Sequence, residues 1–293
     1  MTTVIADELL ASFVRDGAVL VPGVLSEAWI ELLSDGLDEC IAAPDDLSSS
    51  LSDGTAEIRI DQFPAARSER LRRFVLESPL GALVGAFVGG PVRFYMDQMF
   101  AKPAGAQMAT AWHQDTPYYN VGGAALVRAW VSPDPVPREA SLEVVRGSHL
   151  WNVTYRPLGG RDPGAEPRRR SSSGVEEQRG ATFSYGDAIT DRSLPRVPDI
   201  AGNRESFDIV GWDYEPGDVI LFRGHMLHGA RGDHVLQRGR RAHAAMYAGS
   251  DVHYVERPGQ VIPDPVGLAA HAPASGQTLD EFDDVFPLVW DGA

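Results

Sequence analysis

The sequence predicts a mainly β fold with flanking helices, and three observations carry that expectation. Helix-period apolar spacing is confined to roughly the first ninety residues, strand-like apolar runs fill the stretch from 92 to 248, and the 30 glycines and 21 prolines fall in the gaps between runs. With 43% hydrophobic residues over 293 positions, the chain can fill one large core, so residues 1–293 read as a single domain. Within it, 1–90 is expected as mainly helical support and 91–250 as the β core.

The elements follow in order. Ile5, Leu9, Leu10, Phe13 and Val14 recur at helical spacing, and Asp16-Gly17 ends that helix before the strand-like AVLVP. Ser26 is placed to cap a helix over about 27–42, with Glu27 near its positive end and Trp29, Leu32, Leu33 and Leu37 on one side. Residues 43–57, rich in Ser, Asp and Gly, read as a loop. Ser68 and Ser78 read as N-caps of helices near 69–77 and 79–88, with Pro79 at the first position of the second. Strands are then predicted at 92–102, 125–132, 142–147, 207–212, 218–222 and 241–248. Between them, about 152–205 carries RDPGAEPRRRSSSG and few apolar residues, and is expected as a long, lid-like insertion. The closing LDEFDDVFPLVW mixes acids with aromatics and should pack back on the core.

Composition narrows the function. A net charge of −15 opposes binding to nucleic acid or to an anionic membrane, so neither is expected as a partner. Cys40 stands alone, which rules out an internal disulfide and any site of paired thiolates, and a reducing cytoplasm is the natural compartment. MTTVIADELL lacks the basic region and apolar stretch of a signal peptide, and nowhere do eighteen apolar residues run together. A soluble, cytoplasmic protein is expected.

Chemistry concentrates in two segments. In TAWHQDTPYY, His113 and Asp115 stand two apart, and on an extended strand such residues project from one face. In EPGDVILFRGHMLHGA, His228 lies at the end of an apolar strand and supplies a second imidazole. Two histidines and a carboxylate on one side of an ion, with positions open opposite, suit non-haem iron(II) oxygen chemistry. A His-x-Asp triplet alone arises by chance; Trp112 before it, ProTyrTyr after it, and a basic cluster beyond His228 make the set specific.

With these pieces in order, the chain resembles the phytanoyl-CoA dioxygenase-like family of 2-oxoglutarate oxygenases. The matching stretches are GAVLVPGVLS, DQMFAKPAG, WHQDTPYY, RAWVSPDPV, LEVVRGSH, GDVILFRGHMLHGA and RRAHAAMY, which together cover most of the chain. The resemblance implies a double-stranded β-helix, the cupin-like jelly roll, with Fe(2+), 2-oxoglutarate and O2 as cofactor and cosubstrates. It makes His113, Asp115 and His228 the iron ligands, His228 being preferred to His225 because the family places the ligand directly before Gly229. It assigns the cosubstrate carboxylate to Arg240, with Arg241 and Arg238 as alternatives, since a planar guanidinium pairs with a carboxylate through two hydrogen bonds. Gln98 and Trp130 align with positions that contact 2-oxoglutarate, Lys102 with a recurrent lysine before proline that reads here as an exposed strand end, and Ala230 replaces a hydroxyl residue found in some relatives.

The implied activity is hydroxylation of an aliphatic carbon of a small molecule, a secondary metabolite or a lipid-derived acid, with release of succinate and CO2. Asp115 favours oxygenation over halogenation, because related halogenases carry a small residue at that position. Desaturation, epimerisation and ring formation would use the same ligands. Two readings from other classes stand beside it: a cupin-like metal-dependent hydrolase or isomerase, and a non-catalytic jelly-roll binding protein. Tyr118, Tyr119 and Asn120 either line the pocket mouth or belong to the core, and Arg168, Arg169 and Arg170 form either a solvated loop or an anion contact. Because ligand histidines must be neutral, activity should fail well below roughly pH 6.5.

Overall fold

Helix α1 (Asp7–Asp16) turns Phe13 inward and stops at Gly17, whose φ of 82° and N–H bond to the Phe13 carbonyl swing the chain into β1 (Ala18–Val21). The protein is described by a computed structural model over residues 6–52, 56–106, 109–157, 176–179, 191–232, 237–257, 262 and 264–292. In α2 (Glu27–Ala42), Leu33, Leu37 and Cys40 are buried, while Ser26 occupies the cap position without a side-chain capping bond. The loop expected over 43–57 contains β2 (Ser48–Ser52), paired with β3 (Glu57–Gln62). This strand is held by backbone ladders on both sides, so its serines show no apolar alternation for a reader of sequence to find.

Ser68 accepts a hydrogen bond from the N–H of Leu71 and caps α3 (Glu69–Glu77) as expected. The cap of α4 (Leu80–Val88) is Pro79, and Ser78 instead closes α3. The remaining strands are β4 (Val92–Lys102), β5 (Thr110–His113), β6 (Val121–Gly122), β7 (Leu126–Val131), β8 (Leu142–Val145), β9 (Glu176–Arg179), β10 (Ile209–Gly211), β11 (Val219–Arg223), β12 (His228–Ala230), β13 (Arg240–Gly249), β14 (His253–Tyr254) and β15 (Leu288–Trp290). The strand expected at AVLVP is present as β1, all six strands predicted beyond residue 90 are present, and β2 and β3 show that the first ninety residues supply more sheet than expected.

Among the described residues the main sheet runs β1-β11-β7-β13-β4-β3-β2-β9, with β15 also on β4, and a smaller sheet runs β10-β8-β12-β5. Every pairing is antiparallel, and the two sheets face each other as the halves of a jelly roll. Alternation assigns the faces. Val127, Ala129, Val131, Leu221, Ala245 and Tyr247 pack outward under Leu33, Leu37, Leu71 and Phe74 of the helices. Trp130, Ile220, Phe222, Ala242 and Ala244 point inward and meet Leu142 and Val144 of the smaller sheet.

The C-terminal segment returns as expected: Phe282 and Phe286 are buried, Phe286 stacks on Tyr95 at 5.3 Å, and β15 pairs with β4. Much of the expected insertion, residues 158–175 and 180–190 with Arg168, Arg169 and Arg170, lies outside the described residues. Its described parts do two things. Strand β9 extends the main sheet beyond β2, and Val197, Ile200 and Phe207 cover Trp112, Val145 and Leu227 on the outer face of the smaller sheet. No helix among the described residues is long and apolar enough to cross a membrane.

Candidate active site

His113 and His228 are direct cross-strand partners in the β5–β12 ladder, with ring centroids 4.2 Å apart. Asp115 and His228 do not stand quite where spacing placed them. β5 ends at His113, and Asp115 has a helical backbone (φ −76°, ψ −46°) at the start of the turn Thr116–Tyr118, so the two do not share a strand face. The turn arises because the N–H groups of Asp115 and Thr116 both donate to the Gly224 carbonyl, at 3.0 Å each, just before Pro117. His228, in turn, does not end the apolar strand β11; the chain crosses to the smaller sheet and His228 opens β12. The three residues still converge. One ligand atom from each of His113, Asp115 and His228 lies within 4.8 Å of the others, and no second cluster of this kind occurs among the described residues.

Hydrogen bonds set the tautomers. Nδ1 of His113 lies 2.8 Å from the Ala111 carbonyl, and Nδ1 of His228 lies 3.0 Å from the Met226 carbonyl. A carbonyl only accepts, so each Nδ1 carries the proton and each Nε2 turns its lone pair to the centre. Asp115 Oδ1 stands 3.8 Å and 3.6 Å from those two Nε2 atoms. Burial lowers the pKa of His113, and burial reinforced by the neighbouring His113 pushes His228 down to about 4. Burial would raise Asp115, but the Arg128 guanidinium and the two imidazoles outweigh it and hold the carboxyl at about 2. Both imidazoles therefore stay neutral and the carboxylate charged near pH 7. The pH limit expected near 6.5 moves down accordingly. Two neutral nitrogens and one charged oxygen aimed at one point fit a first-row divalent ion with coordination positions to spare.

Arg240 opens β13 on the same inward face as Ala242 and Ala244. It is buried, lies with its guanidinium carbon 6.0 Å from the centre of the Trp130 ring, and donates through Nη1 to the Ala140 carbonyl; its Nε is buried without a partner among the described residues. Of its two competitors, Arg241 faces outward, bound to Asp134, Asp38 and Ser34, and Arg238 is exposed. Lys102 is Arg240's strand partner and is half-buried, which corrects the exposed strand end expected for it; burial, then Arg240, push its pKa down to about 7. A cavity of about 380 Å³ at this rim is lined by Lys102, Arg240, Arg59 and Arg241, among others.

Gln98 and Trp130 also face inward, on strands either side of Ala244. Gln98 donates to Gln62 at 2.8 Å, and Trp130 donates through Nε1 to the Tyr214 hydroxyl at 3.0 Å. Tyr118, Tyr119 and Asn120 are all buried in the core beneath the C-terminal segment, with the Tyr118 ring edge-on to His113 at 5.5 Å. His225 stands outside the ligand cluster, and its backbone carbonyl accepts from Gln114. Arg128, whose Nε donates to Asp115 Oδ2 at 2.9 Å, is not among the residues that the sequence singles out. The signal was a charged residue inside LVRAWV, a strand buried at every position.

The sequence model described as Phytanoyl-CoA dioxygenase (PhyH) matches residues 13–242. The chain belongs to that family. Ectoine dioxygenase of Sphingopyxis alaskensis is 24% identical to this PhyH-family chain over 231 residues, covering 76% of this chain and 69% of that one. Among solved structures, the epimerase SnoN in complex with Fe3+, alpha ketoglutarate and nogalamycin RO shares the fold with a TM-score of 0.68 at 21% identity, over 97% of this chain and 98% of that one. The carbocyclase SnoK from nogalamycin biosynthesis superposes with a TM-score of 0.65 at 20% identity, over 98% of each chain. The PhyH family and these solved structures bear out the jelly roll expected from the sequence.

Proposed function

We propose that the protein is an Fe(II)- and 2-oxoglutarate-dependent oxygenase that hydroxylates an aliphatic carbon of a small molecule. The overall reaction takes up O2, inserts one oxygen atom into a C–H bond of the substrate and places the other in succinate, with loss of CO2 from 2-oxoglutarate. The observation that carries this reading is the convergence of His113, Asp115 and His228, inside a barrel whose inward face also presents Arg240. The bound iron supplies the oxygen chemistry; the protein supplies geometry and a dry enclosure.

The chain's own residues have separable parts. His113 and His228 offer neutral nitrogens already turned inward by their backbone hydrogen bonds, and Asp115 offers a single negative charge. Arg240, with an unsatisfied buried N–H, is suited to take the distal carboxylate of 2-oxoglutarate, and Gln98 and Trp130 flank the same space. Asp115 supports oxygenation over halogenation because a carboxylate fills the position a halide would need. The single-domain organisation over residues 1–293 belongs to this proposal. Ectoine dioxygenase, SnoN and SnoK carry names of three different reactions, so the reaction outcome is assigned by product analysis.

Anaerobic addition of Fe(II) and 2-oxoglutarate should give a weak visible charge-transfer band that His113→Ala abolishes, and aerobic turnover should release succinate. Mass analysis of substrates that stimulate succinate release should show the gain of one oxygen. Well-folded protein with neither the band nor succinate would refute the assignment and leave the hydrolase, isomerase or binding-protein readings.

A further inference from the structure

Among the described residues, Arg128 heads the fully buried side chains by size, and its guanidinium is engaged on every side. Nε donates to Asp115 Oδ2 at 2.9 Å, Nη1 to the Ala244 carbonyl at 3.1 Å, and Nη2 to the Tyr119 hydroxyl at 3.0 Å. That hydroxyl donates onward to Gln98 Oε1 at 3.3 Å, and Gln98 Nε2 to Gln62 Oε1 at 2.8 Å. The chain of bonds therefore starts on one oxygen of the candidate carboxylate ligand and ends on β3, across the inward face of the main sheet. The other oxygen, Oδ1, is the one that faces both Nε2 atoms.

We propose that Arg128 is a positioning residue that commits Asp115 to binding the ion through Oδ1 alone, by retaining Oδ2 in a hydrogen bond fixed from behind by Ala244 and Tyr119. The inference rests on the metal-site reading above. A carboxylate with both oxygens free can swing or chelate through both, occupying a coordination position that the two cosubstrates need. A planar guanidinium with three separate partners cannot rotate without breaking them, so it transmits the rigidity of β7 and β13 to the ligand. Lysine at this position would keep the charge and lose the fork.

The test is direct titration of the full-length apo protein with Mn(II), and with Co(II) read by its visible spectrum, for the wild type, Arg128→Lys and Arg128→Gln. Tyr247→Phe serves as control: it removes a buried hydrogen bond to the Val75 carbonyl on the opposite face of β13. Folded Arg128→Gln should bind Mn(II) at least ten-fold more weakly, Arg128→Lys should recover part of that loss, and both should show weaker, shifted Co(II) bands as the carboxylate becomes bidentate. The control should bind like the wild type. Arg128 variants that fold and bind Mn(II) within three-fold of the wild type, with its Co(II) spectrum, overturn the proposal. If neither variant folds, Tyr119→Phe decides: weakening beyond three-fold supports the proposal, and unchanged binding overturns it. A wild type that binds neither ion removes the metal-site reading itself.

Discussion

At Arg240 the decisive property is an unsatisfied donor. Its Nε is buried with no partner among the described residues, whereas Arg241, one position on, spends its guanidinium on Asp134, Asp38 and Ser34. Strand alternation explains the difference, since adjacent residues face opposite sides of the sheet. Arg240→Gln should therefore raise the KM for 2-oxoglutarate by about ten-fold or more, the worth of a charge-assisted hydrogen bond, while Arg241→Gln leaves it within about two-fold. Steady-state succinate release at varied 2-oxoglutarate measures both; equal effects would mean that the wrong arginine has been assigned. Sequence alone left the choice among Arg238, Arg240 and Arg241 to a resemblance, because a one-residue difference in loop length is enough to exchange their faces. Arg128 was harder still: nothing in LVRAWV states that its charge meets Asp115, a contact made only when two strands and a turn come together.

Elements were legible to the extent that side chains, and not backbone, define them. The strands β4, β7, β8, β10, β11 and β13 carry apolar runs and are found near their expected bounds, whereas serine-built β2 and three-residue β12 carry no such pattern. The three candidate ligands converge for a reason other than the one that suggested them: a turn, and not strand alternation, brings Asp115 beside His113. β12 also explains the glycine after His228. A Cβ on Gly229 would lie 2.9 Å from the Thr110 carbonyl oxygen and 3.2 Å from the Trp112 ring, so β5 must move to admit it. Gly229→Ala should weaken Mn(II) binding by roughly ten-fold, the scale of an outer-shell disturbance, because His113 moves with β5. Unaltered binding would show that the ladder tolerates the shift.

For the whole molecule, the buried imidazoles make stability depend on pH in a defined direction. In the unfolded chain His113 and His228 take up protons near pH 6.5, while in the fold burial lowers both, His228 to about 4. Below about 6.5 the unfolded state binds more protons, so the metal-free protein loses stability as the pH falls from about 6.5 towards 4, where the contribution of His228 is complete. Urea midpoints across this window should fall, and a flat profile would contradict it. The mainly β architecture was readable from turns and apolar runs over the entire length; what was not readable is how two short strands and a turn, far apart in sequence, share one point. β5 is four residues long and, among the described residues, forms the border of the smaller sheet, paired on one side only, with an irregular register against β12. Such a border should fray in the metal-free protein, and an ion held by His113 and His228 would act as a rivet across it. Amide hydrogen exchange at residues 110–113 should then slow on adding Mn(II), far more than at the interior strand β7, so that the ion the protein binds for chemistry also closes the open margin of its own sheet.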